Sequence, residues 1–413
     1  MRKVVVTGMG CVTPIGNNLN DFWQGLMSGK NGVAPITHFD TTNFDTKFAA
    51  EVKNFDPLNH IDKKTLRRID PFTVFSLSAV DMAINHSGLN LELLDKERAG
   101  VLFGSGIGGL NTLQEQSRIY NETKDPARLS PFFVTMMIAD ISAGYISIRY
   151  GFKGPNYCTT SACATASHAI ADAAMLIQRG TADVMICGGS EATITELGIG
   201  GFNAMRALST WNDRYSEASR PFDKDRSGFV MGEGSGVLIL EDAEHAMNRG
   251  ATIYAELAGI GLTADAHHIT APDPNGDGAR RSMLLAVREA GLQISDIDHI
   301  NAHGTSTPLN DVTETKAIKN AFGDHAYKLV INSIKSMNGH LLGAAGGIEA
   351  IATIMSVNKD IIPPTINLDN ADPECDLNYS AKMATSKTIN AAISNTFGFG
   401  GHNASLLFRK FLS

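Results

Sequence analysis

Cysteine is scarce in this sequence, and none of it has the spacing of a metal site or a disulfide framework. The 413 residues include five cysteines, with no Cys-x-x-Cys pair among them. An odd number without that spacing disfavours a disulfide scaffold, and no ligand pair has zinc-site spacing, so no metal is expected. Free thiols are typical of a reducing compartment, which predicts a cytoplasmic protein.

Long apolar runs and an excess of positive charge are also absent. No stretch of about 18 uninterrupted apolar residues occurs, so no membrane span is predicted. The short apolar run at 4–6, soon broken by glycine, predicts a strand rather than a signal peptide. With 35 Lys and Arg against 43 Asp and Glu, the net charge is −8. General nucleic-acid binding is not expected, because phosphate contacts need a surplus of positive charge.

The chain does contain the pattern of a layered α/β protein. Short runs rich in valine and isoleucine, typical of strands buried on both faces, lie at 3–7, 100–103, 184–187 and 236–240. Helical patterns lie between them, for example at 71–87 and 167–179. A similar order of strands and strand–turn–helix segments occurs twice. It predicts two related halves, residues 1–250 and 251–413, with no linker between them.

Cys163 is the candidate nucleophile. A β-like run ends near Thr160, small residues follow, and a helical pattern continues to Arg179 before Gly180. The first turn of a helix carries unpaired N–H groups and a positive end, which would lower the pKa of the thiol. The alternative is a buried small hydrophobic residue, which is the interpretation of the other four cysteines.

Two histidines are candidates to assist this thiol. His303 follows the apolar run 297–300, at a strand end where α/β sheets place ligands. His340 opens a helix of small residues, whose N-terminus would lower the pKa of the imidazole and keep it neutral. A structural role is the alternative for each ring alone. Cysteine together with histidine is a recognised way to activate a thiol.

Two glycine-rich loops complete the candidate sites. The loop at 395–403 follows a strand-like run, and a backbone N–H near Phe399 would form an oxyanion hole with the N–H of Cys163. A plain tight turn is the alternative. The segment 104–109 matches G-x-G-x-x-G after a strand, but a lone match is a weak indication of a dinucleotide site. A nicotinamide-dependent oxidoreductase is therefore a minor alternative.

Three segments together resemble a known family. Residues 162–164, 303–308 and 335–340 occur in the order found in the β-ketoacyl-acyl-carrier-protein synthases of the thiolase superfamily, most closely the elongating synthases of bacterial fatty-acid synthesis. The similarity covers essentially the whole chain, including 219–223, 228–234 and 395–403. It implies a homodimer with a thiolase-like α/β fold, in which two duplicated halves form five αβαβα layers.

The resemblance also implies a reaction. Cys163 would carry the acyl chain as a thioester, and malonyl-acyl-carrier protein would lose carbon dioxide while His303 and His340 hydrogen-bond its thioester oxygen. The carbanion would attack the acyl group, whose oxyanion would bind the N–H groups of Cys163 and Phe399. Phe399 also resembles a gating aromatic. No cofactor would be required, since the 4′-phosphopantetheine arm belongs to the carrier protein.

Further roles follow from the same resemblance. Lys335 would pair with Asp311 or Glu314 and set the field around the histidines. The pantetheine arm and the acyl chain would contact Thr270, Thr305, Thr307, Ile107, Phe133 and Phe202. Glu349 and Asn395 match positions near a structural monovalent cation in some relatives. A basic rim for the acidic acyl carrier protein would comprise Lys63, Lys64, Arg67, Arg68 and Arg206, with a solvated helix face as the alternative.

The chain departs from the usual family pattern at Ala166, His402, Thr135 and the pair Ala139-Asp140. None of these departures removes a catalytic group. A polyketide-type or other specialised ketosynthase would share every catalytic residue and is the alternative function. A non-catalytic partner subunit should lack the nucleophile, which is present here.

Overall fold

The computed structural model of the chain describes residues 2–412. The strands are β1 (Val4–Val12), β2 (Ala34–Pro35), β3 (Phe48–Ala49), β4 (Ala99–Gly104), β5 (Asn156–Tyr157), β6 (Val184–Glu191), β7 (Gly234–Asp242), β8 (Ala255–Ala264), β9 (His299–Asn301), β10 (Val330–Asn332), β11 (Ile361–Ile362), β12 (Thr385–Ser386), β13 (Ala391–Gly398) and β14 (His402–Arg409). The helices are α1 (Leu19–Met27), α2 (Lys63–Leu66), α3 (Pro71–Ser87), α4 (Leu110–Thr123), α5 (Phe133–Met137), α6 (Ile141–Tyr150), α7 (Thr165–Gln178), α8 (Glu196–Ala204), α9 (Ala243–Asn248), α10 (Asp277–Glu289), α11 (Pro308–Phe322), α12 (Lys335–Asn338) and α13 (Ala345–Lys359).

Local sequence signals explain why several elements begin and end where they do. The pattern at 71–87 forms α3, with Asp70 accepting a capping hydrogen bond from the Phe72 N–H and Pro71 in the first turn. Gly88 ends α3 in the left-handed conformation. The apolar runs at 184–187 and 236–240 lie within β6 and β7, and both strands are buried throughout. These strands are therefore covered on both faces, as their composition predicts.

The strand order repeats in two halves of one sheet. The order is β10-β9-β13-β14-β8-β1-β7-β6-β4-β5. In one half β1 is antiparallel to β7 and β4 is parallel to β5 and β6; in the other half β8 is antiparallel to β14 and β9 is parallel to β10 and β13. The halves meet where β1 pairs with β8 over three residues. The duplicated arrangement expected from the sequence is therefore present in the topology.

Helices cover the two halves of the sheet in layers. α3 packs against β1 and β7, whereas α10 packs against β8 and β14. Between the halves lie α7 and α13, each of which contacts strands of both halves. α13 is buried from residue 345 to residue 357, as a helix that is apolar on all sides requires. The layers thus follow the sequence αβαβα.

The two central helices approach each other closely near their N-termini. A Cβ on Gly346 would stand 2.1 Å from the Ser167 hydroxyl oxygen, so only glycine permits this contact. The contact brings the turns that precede α7 and α13 side by side. The candidate residues Cys163 and His340 lie on or beside these turns, so the central layer positions both.

Within residues 2–412 no helix is both long and apolar enough to cross a bilayer. The division into domains at residues 1–250 and 251–413 stays a prediction, because the halves share one sheet and one central helical layer.

Candidate active site

Cys163 lies in a short 3₁₀ turn, Ala162–Ala164, directly before α7. Ala162 has a φ of 49°, a left-handed conformation that is uncommon for a residue with a side chain and recurs at functional sites. The Thr165 hydroxyl holds the turn by accepting from the Ser161 N–H at 2.9 Å and donating to the Ala162 carbonyl at 2.8 Å. The Cys163 side chain is buried at the floor of a cavity.

The predicted lowering of the Cys163 pKa is wrong for the protein without substrate. Burial raises the pKa of the thiol to about 11, although the nearby charge of Lys335 and the Phe399 N–H act in the opposite direction. Removal from water disfavours a thiolate more than the helix start favours it. The thiol is therefore neutral at pH 7, and a nucleophilic role for it would require a group that takes its proton.

His340 is fixed by backbone hydrogen bonds to a neighbouring segment. Its N–H donates to the Val230 carbonyl at 2.7 Å, and its own carbonyl accepts from the Gly232 N–H at 2.9 Å. A 3₁₀ turn, Leu342–Ala344, separates it from α13. Burial and the charge of Lys335 lower its pKa well below the usual value, so the ring is neutral as predicted. The main cause is burial rather than the helix end.

His303 follows β9 and contacts the buried Lys335 ammonium. Lys335 Nζ lies 3.3 Å from His303 Nδ1 and donates to the His303 carbonyl at 2.7 Å. Because an ammonium can only donate, Nδ1 must accept, and the proton of the neutral ring lies on Nε2. Burial, then Lys335 and His340, lower the pKa of His303 well below its usual value.

The predicted pairing of Lys335 with Asp311 or Glu314 is wrong. Lys335 pairs with Glu349 of α13, and burial raises the pKa of that carboxyl to about 7. Glu314 instead accepts the N–H groups of His303 and Gly304, at 2.9 and 2.8 Å. Pairing with the peptide amides satisfies Glu314 without the lysine, and it still orients the His303 loop.

Asp311, the other predicted partner, faces a different cation. Its carboxylate accepts the Phe222 N–H at 2.8 Å and lies 3.7 Å from the Arg226 guanidinium. Arg226 also donates to the Thr307 and Pro308 carbonyls, both at 3.0 Å. Asp311 therefore supports the 307–308 loop rather than the lysine.

The thiol and the two imidazoles converge. One atom each of Cys163, His303 and His340 lie within 4.8 Å of one another. The two rings stand edge to face, with centroids 5.3 Å apart. Among the described residues 2–412, neither ring nitrogen of His340 has a hydrogen-bond partner, although both are buried. A buried donor without a partner costs free energy, which a substrate oxygen in the cavity would recover. The trio also has the spacing of metal ligands, but the Lys335 charge beside His303 opposes a divalent cation.

The final glycine loop lies against the thiol. The Phe399 N–H is directed at the Cys163 sulfur and lowers its pKa against the effect of burial. The Phe399 ring lies 6.5 Å from the ring of Phe202, and both line the cavity. The predicted proximity of Phe399 and Cys163 is therefore present in the structure.

A cavity of about 610 Å³ opens above the cluster. Five of the six predicted substrate-contacting residues line it, namely Ile107, Phe202, Thr270, Thr305 and Thr307. The hydroxyls of Thr305 and Thr307 lie 3.0 Å apart, so they form one polar patch on the wall. Phe133 does not line the cavity; α5, which carries it, packs on α4 instead. That prediction is not met within a single chain.

The predicted basic residues form two groups. Lys63, Lys64, Arg67 and Arg68 surround a cleft of about 340 Å³, where the Arg68 guanidinium lies 4.9 Å from the centre of the Phe132 ring. Arg206 lies apart from them at the end of α8 and lines the active-site cavity. Positive charge is thus present at the cavity itself and in a separate cleft.

Sequence reasoning missed two buried carboxylates near the cluster. Glu349 was associated only with a possible cation, and Glu191 at the end of β6 was not considered. Each is the only acidic residue of a largely apolar element, Glu349 in α13 and Glu191 in β6. A lone acid in a buried helix or strand needs partners, and this is the signal that could have identified both. The remaining family departures include Ala166, which is buried in α7, and His402, whose ring lies 6.3 Å from that of His168.

A five-layered duplicated α/β fold with a buried cysteine and two buried histidines defines the class of thiolase-like condensing enzymes. The chain belongs to the β-ketoacyl synthase family. Residues 1–246 match the model of the β-ketoacyl synthase N-terminal domain, and residues 254–369 match that of the C-terminal domain. The predicted family and the thiolase-like fold are therefore confirmed.

Individual relatives cover nearly the whole chain. The 3-oxoacyl-[acyl-carrier-protein] synthase 2 of Synechocystis sp. is 54% identical over 410 residues, which is 99% of this chain and 98% of the relative. The crystal structure of a β-ketoacyl synthase from Burkholderia phymatum superposes with a TM-score of 0.93 at 34% identity, over 100% of both chains. A type II PKS acyl-carrier protein in complex with its ketosynthase bound to the hexaketide (AntDE:AntF) gives 0.92 at 33% identity, also over 100% of both chains.

Proposed function

We propose that the protein elongates fatty acyl chains by decarboxylative Claisen condensation, joining an acyl group on Cys163 to malonyl-acyl-carrier protein. The observation that carries the proposal is the convergence of one thiol and two neutral imidazoles in one cavity. Relatives named 3-oxoacyl-[acyl-carrier-protein] synthase 2, about half identical to this chain, support the same activity. The polyketide-type alternative rests on structures at about one third identity.

In the first half-reaction the Cys163 sulfur attacks the thioester carbonyl of acyl-carrier protein. Because the thiol is neutral, one of the neighbouring neutral imidazoles takes its proton as the S–C bond forms. The oxyanion accepts hydrogen bonds from the N–H groups of Cys163 and Phe399. The intermediate then expels the phosphopantetheine thiolate, which receives the proton, and the acyl group remains on Cys163.

In the second half-reaction malonyl-carrier protein occupies the same cavity. The Nε2–H of His303 and an N–H of His340 donate to the malonyl thioester oxygen, so that charge can move onto it as carbon dioxide leaves. The resulting carbanion attacks the acyl carbonyl on Cys163. The C–C bond forms, the S–C bond breaks, and β-ketoacyl-carrier protein leaves. The Cys163 thiolate then takes a proton from water that enters the emptied cavity. Lys335 fixes the His303 tautomer, and burial together with the Lys335 charge keeps both rings neutral.

The proposed partner is an acidic acyl carrier protein that delivers its 4′-phosphopantetheine arm. A ketosynthase of the same fold is known in complex with an acyl-carrier protein. Here Thr305 and Thr307 line the cavity wall where the polar arm would lie, and Arg206 lines the same cavity. The cleft formed by Lys63, Lys64, Arg67 and Arg68 offers concentrated positive charge to an acidic surface. No cofactor is required by this chemistry.

A homodimer in the cytoplasm is the proposed working form. β5 is the last strand of the sheet, and the apolar side chains of Ile148, in the neighbouring α6, and of Tyr157, in β5 itself, are exposed by 81% and 44%. Exposed apolar residues at a sheet edge are typical of protein interfaces. Phe133 of α5 does not line the cavity of its own chain, so in this proposal it contacts the acyl chain of the second copy.

The experiment has two arms. Intact-mass measurement after mixing with acyl-carrier protein should show the acyl mass on Cys163, and malonyl-carrier protein should then yield carbon dioxide and β-ketoacyl-carrier protein. Absence of acyl-enzyme would contradict the proposal. For docking, K63E/K64E should raise the KM for acyl-carrier protein with little change in kcat. The matched control is K359E at the far end of α13, which should change neither value.

A further inference from the structure

Glu191 is a buried carboxylate for which the proposed reaction has no role. It ends β6 and is inaccessible to solvent. Its Oε2 accepts from the N–H groups of Gly106 and Gly343, both at 2.9 Å. Its Oε1 accepts from the Ser105 hydroxyl at 2.8 Å and from the Ile107 N–H at 3.3 Å. Four donors thus converge on one side chain.

The two amides that share Oε2 come from different halves of the chain. Gly106 lies in the loop after β4, whereas Gly343 lies in the turn before α13. A Cβ on Gly343 would stand 2.2 Å from the Gly106 nitrogen and 2.7 Å from Oε2. No side chain fits between the loops, so the carboxylate oxygen is the atom that joins them.

Each joined segment carries part of the active site. Ile107 and Leu342 stand beside the bound amides, and both line the cavity. His340 lies three residues before Gly343, on the segment that enters the same turn. A shift of either amide would therefore move a wall of the cavity relative to the imidazole.

We propose that Glu191 is a positioning residue that clamps the Gly106 and Gly343 amides together and so sets the geometry between the cavity wall at Ile107 and the turn that follows His340. The clamp also explains the G-x-G-x-x-G motif at 104–109: the Gly106 and Ile107 amides of the motif bind the carboxyl group of a residue of the same chain rather than the phosphates of a dinucleotide. The inference rests on the proposed function, because its effect is measured on acyl loading and malonyl decarboxylation.

Two substitutions distinguish the effect of the hydrogen bonds of Glu191 from the effect of its side-chain volume. In E191Q the amide oxygen can still accept from Gly106 and Gly343 while the amide N–H donates to the Ser105 hydroxyl. Only the Ile107 N–H, the longest of the four contacts at 3.3 Å, loses its acceptor, so the clamp between the two glycine amides remains. In E191A both loop amides lose their acceptor. The matched control is Glu241, a buried carboxylate of β7. It accepts hydrogen bonds from Thr7 and Arg249 and does not line the cavity.

Rates are measured per functional site, after titration of reactive Cys163 with iodoacetamide, so that loss of folded protein does not count. E191A should slow acyl loading or decarboxylation per site by about tenfold or more and change the acyl-length preference, since small misplacements of reacting groups are costly. E191Q should retain most of the rate. E241A should lower the melting temperature without changing the rate per site.

Several results would overturn the inference. Per-site rates of E191A equal to wild type, or an equal loss in E241A, would show that the carboxylate acts only on stability. If E191A does not fold, E191D replaces it, since its shorter side chain cannot reach both amides; an unchanged rate in E191D has the same meaning. A wild-type protein that neither loads acyl groups nor decarboxylates malonyl would overturn the proposed function itself.

Discussion

The turns before α7 and α13 are built alike but carry different chemistry. In each, a left-handed residue opens a 3₁₀ turn that leads into a central helix: Ala162 with a φ of 49° and Leu342 with a φ of 46°. The next residue is Cys163 in the first half of the chain and Gly343 in the second. One turn thus presents a thiol, and the corresponding turn presents a bare amide.

This difference shows how a duplicated fold makes one asymmetric site. The Gly343 amide binds Glu191, and the candidate catalytic side chain of this segment lies three residues earlier, at His340. The loops that follow β4 and β9 are also built alike, because each donates two consecutive backbone N–H groups to a buried glutamate. In the first half the acceptor is Glu191, and in the second half it is Glu314. The two halves therefore share a backbone arrangement and differ in the side chains that it carries.

Removal of the Cys163 thiol should have the largest effect on the difference between the two turns. C163A should abolish acyl loading, with a loss on the order of 10⁶ as for other enzymes that lose a nucleophile. The fold should remain, since the turn is held by Thr165 rather than by the sulfur. Intact mass and the melting temperature measure these two effects, and normal condensation by C163A would refute the role of Cys163.

Removing the histidines should affect the other half-reaction. H303A and H340A should each slow malonyl decarboxylation on the order of 10²–10³-fold, because each takes one donor from the thioester oxygen. Carbon dioxide release from malonyl-carrier protein measures this. Unchanged release in either variant would remove that ring from the mechanism.

The glycine of the second turn tests the packing between the halves. G343A places a Cβ against the Gly106 backbone and should destabilise the protein by about 1–3 kcal/mol. The matched control is G201A in α8, where a Cβ meets no atom within 4 Å, and it should be neutral or stabilising. Urea unfolding of both variants gives the comparison. Equal stability of the two would contradict the close contact.

The smallest expected effect is a change in pH dependence. Burial and, after it, the Lys335 charge lower the pKa of both imidazoles, so K335M combined with E349Q should raise both pKa values. More of each ring is then protonated in mildly acidic solution, and a protonated ring has lost the neutral form required here. The acid limb of the decarboxylation profile should therefore move to higher pH. A limb that stays in place would show that burial alone keeps the rings neutral.

Much of the fold could be predicted from local patterns. The helix at 71–87 has a capping aspartate, a proline in its first turn and a glycine at its end, and these signals act within a few residues. The strands at 184–187 and 236–240 are apolar without alternation, which indicates burial on both faces. The ends of the strands were less predictable. β6 continues to the polar residue Glu191, because the hydrogen-bond partners of that side chain lie in loops far away in the sequence.

The sequence indicated which residues come together at the candidate site, but it indicated their contacts less well. Cys163, His303 and His340 stood out because their neighbours are small or glycine-rich and lie at element ends. The pairing of Lys335 was wrong, because Glu349 and the lysine come together only when α13 enters the central layer. The pKa of Cys163 was also wrong, because depth of burial is not a property of the neighbouring sequence.

The sequence by itself determined the layered α/β class, the duplicated order and which residues are the candidates for catalysis, since periodicity, turn residues and side-chain chemistry are local. Only the tertiary structure decided which buried charges meet, how deep the thiol lies, and that Glu191 joins the two halves at the cavity. These depend on contacts between residues far apart in the chain, and their energies depend on the exclusion of water, which only the packed protein provides.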